Sequence, residues 1–209
     1  MLASITPLGE RGRHNRYGFT VATFLIGSLA GGAALGAALG AAGHAARLVL
    51  LDGVAPTAAV LGLFAAVAAL GLAADLGAGG LRLPTIRRQV NENWLDDYRG
   101  WVVGVGFGFQ LGLGVVTIVT ASATYVAFAA ALLSLSWVGG LVIGATFGLA
   151  RALPVLATAR VHHPDALRSL HRRTQRLAAP VHRTVLGVQG ATVVTTLLMT
   201  AALVLSVRI

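Results

Sequence analysis

The sequence predicts an all-α fold, a polytopic bundle of about five transmembrane helices, and three observations support it. Hydrophobic residues make up 56% of the 209 residues and charged residues 11%, whereas soluble domains contain roughly 25% charged residues. Mean hydropathy is +0.79. Between Arg99 and Arg151 the chain has no Asp, Glu, Lys, Arg or His. About 20 helical residues cross a hydrocarbon core, so this tract is long enough to cross twice and must turn back.

The charge-free tracts predict the bounds of the membrane spans. The first is predicted over 17–46, and because it exceeds a signal-peptide core of about 7–15 residues, we expect it to be retained. The others are predicted over 53–77, 100–133, 137–158 and 184–207. Small and interfacial residues predict the turn inside the long tract, near Ser134, Ser136, Trp137, Gly139 and Gly140. The whole chain, 1–209, is expected to form one integral membrane domain.

Arginine positions predict the orientation. All sixteen Lys and Arg positions are arginine, the formal charge is +9, and the arginines cluster in segments 1–16, 81–99 and 160–183. Five spans place these three segments on one side, which the positive-inside rule makes cytoplasmic. We therefore expect a multi-pass protein of a bacterial-type plasma membrane, with a cytoplasmic N-terminus. The expected partners of the arginines are anionic lipid headgroups, and no nucleic acid.

Two cytoplasmic connections, 84–98 and 164–179, are predicted to be amphipathic helices lying on the membrane. Each begins at a proline, and apolar residues recur at helical spacing among arginines. Pro180 is expected to end the second helix.

The order of these parts suggests an internal duplication. A shift of 82 positions places Gly18 on Gly100, Gly32 on Gly114 and Gly62 on Gly144 without a gap. Because glycine and alanine are abundant, chance matches explain the same pairs equally well.

Glycines in the first and third spans have two interpretations. Small residues let helices pack closely, which is the default. Alternatively, these helices break near the bilayer midplane and expose backbone groups to a solute.

Polar residues inside the spans are candidates for a binding site, because unpaired polar groups are costly in hydrocarbon. Gln110, Thr117 and Thr120 are the predicted solute contacts in the third span. Hydroxyl groups can bond within their own helix, but the amide of Gln110 cannot satisfy all its hydrogen-bonding positions locally. Similar polar residues occur further along the chain, at Ser122, Thr124, Tyr125, Gln189, Thr192, Thr195, Thr196 and Thr200.

Asp75 and Arg151 are the charges closest to the apolar interior. Asp75 could simply mark the end of its span and Arg151 could reach the headgroups. The alternative is an Asp75–Arg151 ion pair that acts as a cytoplasmic gate, with Arg151 also binding an anionic solute and Pro154 kinking the span beside it.

Catalytic and cofactor chemistry is not predicted. The chain has no cysteine, and no catalytic triad, phosphate loop or zinc-protease motif occurs in a suitable context. His162 and His163 are adjacent and would point in different directions, so no metal site and no cofactor are expected.

The segments GVGFGFQLGLG (104–114) and FGLARALPVL (147–156) resemble the second half of the DsbD/CcdA-type transmembrane family, within the LysE-like transporters. That family is a repeat-built carrier of reducing equivalents with a Pro-Cys pair in each half. Only Pro154 matches its pattern here, and electron transfer is not expected without cysteine. The resemblance implies a transporter-like bundle with different cargo.

Two hypotheses follow. The first is a small transporter or channel for a small polar or anionic solute. The second is a non-transporting membrane subunit or scaffold, whose glycine faces bind partner helices and whose basic helices dock a cytosolic protein. A homo-oligomer or a partner subunit fits either hypothesis.

Overall fold

A computed structural model of the chain describes residues 5–50, 57–80, 99–114 and 122–206. Within those ranges all regular structure is helical. The elements, in order, are α1 (Pro7–Gly12), α2 (Tyr17–Leu50), α3 (Thr57–Asp75), a short 3-10 helix (Ala78–Gly80), α4 (Gly100–Leu113), α5 (Ala123–Leu133), α6 (Trp137–Ala152), a second 3-10 helix (Leu153–Arg160) and α7 (Pro164–Ser206).

Four helical segments of the described chain are long and apolar enough to cross a membrane: α2, α3, α6 with the 3-10 helix after it, and α7. The predicted all-α membrane class is thereby confirmed at the level of helix type and length, but five spans are not. The predicted third span, 100–133, contains two shorter helices, α4 of 14 residues and α5 of 11 residues. At 1.5 Å per residue each is roughly 15–20 Å long, which is less than a bilayer core.

Gly114 ends α4 in the left-handed conformation, with φ of +69°, and its N–H bonds to the Leu111 carbonyl. Glycine takes this conformation without the steric cost that a side chain adds. The broken-helix interpretation therefore fits the third tract, whereas α2 is continuous through its glycines. Gly32 lies inside α2 and its predicted counterpart Gly114 ends a helix, so the proposed duplication stays a prediction.

Pro180 does not end a helix, and this prediction is wrong. α7 runs without interruption from Pro164 to Ser206, with Pro180 inside it. Proline removes one N–H donor, but the side chains of residues 171–184 are all exposed, which leaves the unpaired carbonyl open to other donors. The predicted amphipathic helix 164–179 is thus the first part of α7. The other predicted amphipathic helix, 84–98, lies outside the described residues.

The chain forms two compact units. The first unit comprises Met1–Leu35, Ile86–Ile118 and Gly144–Ala179, and the second comprises Gly36–Thr85, Val119–Ile143 and Pro180–Ile209.

The first unit has an apolar core and a hydrogen-bonded N-terminal segment. Its core is built from Ile5, Val21, Phe24, Val103, Phe107, Ala152 and Val155. Thr158 Oγ1 donates to the Ile5 carbonyl at 2.8 Å, and the Tyr17 hydroxyl lies 3.1 Å from Thr158 Oγ1. The buried Glu10 carboxylate accepts hydrogen bonds from Arg13 at 2.6 Å and from Thr20 at 2.7 Å. These bonds connect the N-terminal segment to the second 3-10 helix and to α2.

Glycines bring the helix backbones of the first unit together. A Cβ on Gly108 would overlap the Phe24 carbonyl, and one on Gly32 would overlap the Gly144 carbonyl. Ser28, on the same part of α2, donates its hydroxyl to the Gly148 carbonyl at 2.7 Å. Close packing is therefore the role of these glycines in the first unit, as small residues permit in membranes.

The second unit contains the predicted turn of the long tract. The chain turns at residues 134–136, with Leu135 at φ +51°, and α6 begins at Trp137. His44 Nδ1 lies 3.2 Å from the Leu135 carbonyl oxygen. A Cβ on Gly140 would overlap the Gly36 carbonyl, so close backbone packing recurs here.

Candidate functional site

Asp75, the last residue of α3, lies against Ser122, the residue that precedes α5. The Ser122 backbone N–H lies 3.0 and 3.1 Å from the two carboxylate oxygens, and Ser122 Oγ donates to Asp75 Oδ2 at 2.8 Å. The first N–H groups of a helix have no partner within the helix and favour negative charge. One role of Asp75 is therefore to cap α5.

Gln189 of α7 completes a cluster of three polar side chains. Its amide Nε2 donates to Ser122 Oγ at 2.8 Å and lies 3.1 Å from Asp75 Oδ2. Ser122 is 0% exposed and Gln189 is 6% exposed. We call Asp75, Ser122 and Gln189 the carboxylate cluster.

Gly71, one turn before Asp75 on α3, provides the space for the cluster. A Cβ at this position would lie 2.9 Å from Ser122 Oγ and 3.3 Å from a methyl group of Val126. Because glycine has no Cβ, Ser122 can approach α3 closely enough to reach the carboxylate.

One polar atom of the cluster has no hydrogen-bond partner in the described chain, and the Asp75 charge is held by hydrogen bonds alone within its unit. Gln189 Oε1 is buried and has no hydrogen-bond partner there. The ion pairs Arg13–Glu10 and Arg168–Asp165 lie in the first unit, and no basic side chain described in the second unit pairs with the Asp75 carboxylate. Buried amide oxygens normally have a hydrogen-bond partner, so Gln189 Oε1 is the unsatisfied atom of the cluster.

The other predicted site residues that the structure describes lie in the first unit. Gln110 lies on α4 in the first unit, half-buried, and its side chain makes no hydrogen bond to a described residue. Arg151 lies near the end of α6, with its guanidinium carbon 5.3 Å from the Phe147 ring centre. Pro154 stands in the first turn of the second 3-10 helix, where α6 ends. Thr117 and Thr120 lie outside the described residues.

The predicted Asp75–Arg151 ion pair joins residues of different units and stays a prediction. Within its own unit Asp75 is held by Ser122 and Gln189, which the sequence indicated only as polar residues inside spans. The amide argument made for Gln110 applies equally to Gln189, since neither amide can satisfy itself in a helix. That signal identifies Gln189, but it does not identify Asp75 as its partner.

Comparisons with protein-family models, with curated proteins and with solved structures give no match. The resemblance to the DsbD/CcdA-type family therefore stays a prediction.

Proposed function

We propose that this chain is a small membrane transporter for a small polar or anionic solute. The observation that carries the proposal is the carboxylate cluster, in which the half-buried Asp75 carboxylate is bonded to the buried Ser122 and Gln189 side chains between apolar helical segments. Such groups are rare in membrane helices because they are costly there, and they commonly mark the path of a solute or ion. A helix that ends inside an apolar tract, as α4 does at Gly114, is also typical of transporters.

In this proposal Gln110 and the hydroxyls of Thr117 and Thr120 contact the solute. Arg151 attracts an anionic group at the cytoplasmic mouth, and Pro154 sets the bend next to it. The protein lies in a bacterial-type plasma membrane with its N-terminus in the cytoplasm and its basic segments against anionic headgroups. The proposal agrees with the transporter-like bundle that the DsbD/CcdA resemblance implies.

The test is flux in proteoliposomes that contain the purified chain. The solutes tested are amino acids, short carboxylates, inorganic phosphate and sulfate. Transport is followed by radiotracer uptake or by current on a supported membrane. For a transported solute we expect Gln110→Leu and Arg151→Ala to lower the rate at least about tenfold, which is the effect of losing one good polar contact.

Matched controls separate the site from general damage. Gln175→Leu and Arg168→Ala remove an exposed amide and an exposed guanidinium from the basic part of α7, and they should leave flux unchanged. Flux that is equal in all four variants would refute the site assignment. Absence of flux for every solute class would refute transport by the isolated chain.

A second candidate is a membrane subunit or scaffold without transport. It is favoured by α3 and α7, whose most apolar stretches are only 11% buried. Apolar helix faces of this kind can bind lipid or partner helices. Purification from native membranes in mild detergent separates the candidates, because a stoichiometric partner supports the subunit and a lone chain or homo-oligomer supports the transporter.

A further inference from the structure

We infer that the carboxylate cluster is a binding site for a monovalent cation, with Na⁺ as the best fit. The inference concerns binding and is independent of solute transport. The additional role of coupling ion rests on the proposed function.

The first argument is the geometry of the polar atoms. Asp75 Oδ2, Ser122 Oγ and Gln189 Nε2 form a triangle with sides of 2.8, 2.8 and 3.1 Å. Rotating the Gln189 amide by 180° exchanges its nitrogen and oxygen, which brings Oε1 to the third corner. The triangle then consists of three oxygens, which are the ligands that hard cations prefer.

The second argument is the unsatisfied amide oxygen. In the present rotamer Gln189 Oε1 is buried without a partner in the described chain, and Gln189 as a whole is 6% exposed. In the rotated form Oε1 would face the carboxylate, and two acceptors in contact repel each other unless a positive charge lies between them. A cation makes the rotated amide favourable. The amide therefore has the rotated orientation when the cation is bound and the present orientation when it is absent.

The third argument is charge. Asp75 contributes one negative charge, and no basic side chain described in the second unit pairs with it. One monovalent cation neutralises that charge, whereas a divalent cation would leave a net positive charge among apolar helices. The C-terminal end of α3 adds negative potential at Asp75 and the N-terminus of α5 opposes it, so the helix dipoles offset each other.

The other described residues that adjoin the cluster are small or neutral. Gly71 and Val126 flank Ser122, and Thr196 lies two turns along α7 from Gln189, with its hydroxyl donated to the Thr192 carbonyl at 2.6 Å. None of these competes with Asp75 for the cation.

The experiment is equilibrium binding of sodium-22 to the purified full chain in nanodiscs of neutral lipid. We expect saturable binding of one ion per chain, competition by Li⁺, and at least about tenfold weaker competition by K⁺ and Ca²⁺. Neutral lipid removes the headgroup charge that would otherwise collect cations near the arginines.

Two variants and one matched control assign the ion to the cluster. Asp75→Asn should lower affinity by about 100-fold or more, because losing even an outer-shell partner of a metal costs about 10 to 100-fold. Ser122→Ala removes one oxygen and should lower affinity about tenfold. Asp165→Asn changes an exposed carboxylate in the same way and should bind as the unmodified chain does.

Folding of each variant is checked by elution volume and circular dichroism. If Asp75→Asn does not fold, Ser122→Ala and the competition series still show whether the ion binds at the carboxylate cluster. Absence of saturable sodium-22 binding by the folded, unmodified chain would overturn the inference, and so would unchanged affinity in Ser122→Ala and Asp75→Asn. Binding without flux would refute transport while leaving the cation site intact.

Discussion

Asp75 and Ser122 are 47 positions apart, yet one carboxylate accepts both the backbone N–H and the hydroxyl of the serine, at 2.8–3.1 Å. This pair fixes the end of α3 to the start of α5. Gln189 reaches the same two groups from α7. Three helices of the second unit therefore depend on one another through polar contacts, and local changes at this point should have measurable effects.

Gly71→Ala tests the space that the cluster requires. The new Cβ would lie 2.9 Å from Ser122 Oγ, so Ser122 must move away from α3. We expect a loss of about 1–3 kcal/mol in the free energy of unfolding, as overpacking typically causes. Gly187→Ala on α7 is the control, because nothing lies within 4 Å of its Cβ. Equal melting temperatures for the two variants would show that α3 and Ser122 are not in close contact.

Gly32→Ala tests the backbone packing of the first unit. Its Cβ would overlap the Gly144 carbonyl, and a backbone atom cannot move aside as a side chain can. The expected loss in the free energy of unfolding is about 3 kcal/mol, the upper end for overpacking. Gly18→Ala, also on α2 but with open space around it, should be neutral or slightly stabilising. Thermal unfolding in detergent compares them, and a tolerated Gly32→Ala would contradict the packing.

Thr158→Val tests how the N-terminal segment is held. The substitution keeps the shape of a side chain that is 0% exposed but removes the donor to the Ile5 carbonyl. We expect a loss of about 1–3 kcal/mol and faster proteolysis of the segment before Tyr17. Thr174→Val is the matched control, since that hydroxyl is exposed and bonds only within α7. Unchanged proteolysis in Thr158→Val would mean that other contacts hold the segment.

Helix type and the position of most helices could be predicted, because long apolar tracts favour helices that satisfy their own backbone. The ends of helices inside the apolar tracts were harder to predict. Gly114 ends α4 through a left-handed conformation, yet Gly36 and Gly40, which also follow a leucine, continue α2. Pro180 was predicted to stop a helix and does not, since its exposed surroundings accommodate a missing donor.

The cluster itself could be predicted only in part. Asp75 was identified by its nearness to an apolar tract, but its partners lie 47 and 114 positions away and follow no local spacing. The buried Glu10 shows the same limitation. Glu10 is 2% exposed although it lies in a polar segment, and it accepts hydrogen bonds from Thr20 and Arg13. Pairings of this kind depend on how helices pack, which hydropathy alone does not specify.

The central claim is that the carboxylate cluster lies on the path of an ion or solute and not in a sealed core. The chain has no native cysteine, so single cysteines can be introduced at Ser122 and, as a control, at Ser28, two serines that are both 0% exposed. The measurement is the rate of reaction with a membrane-impermeant thiol reagent in proteoliposomes. We expect Ser122→Cys to react and Ser28→Cys not to react. Equal resistance of both cysteines in folded protein would contradict it.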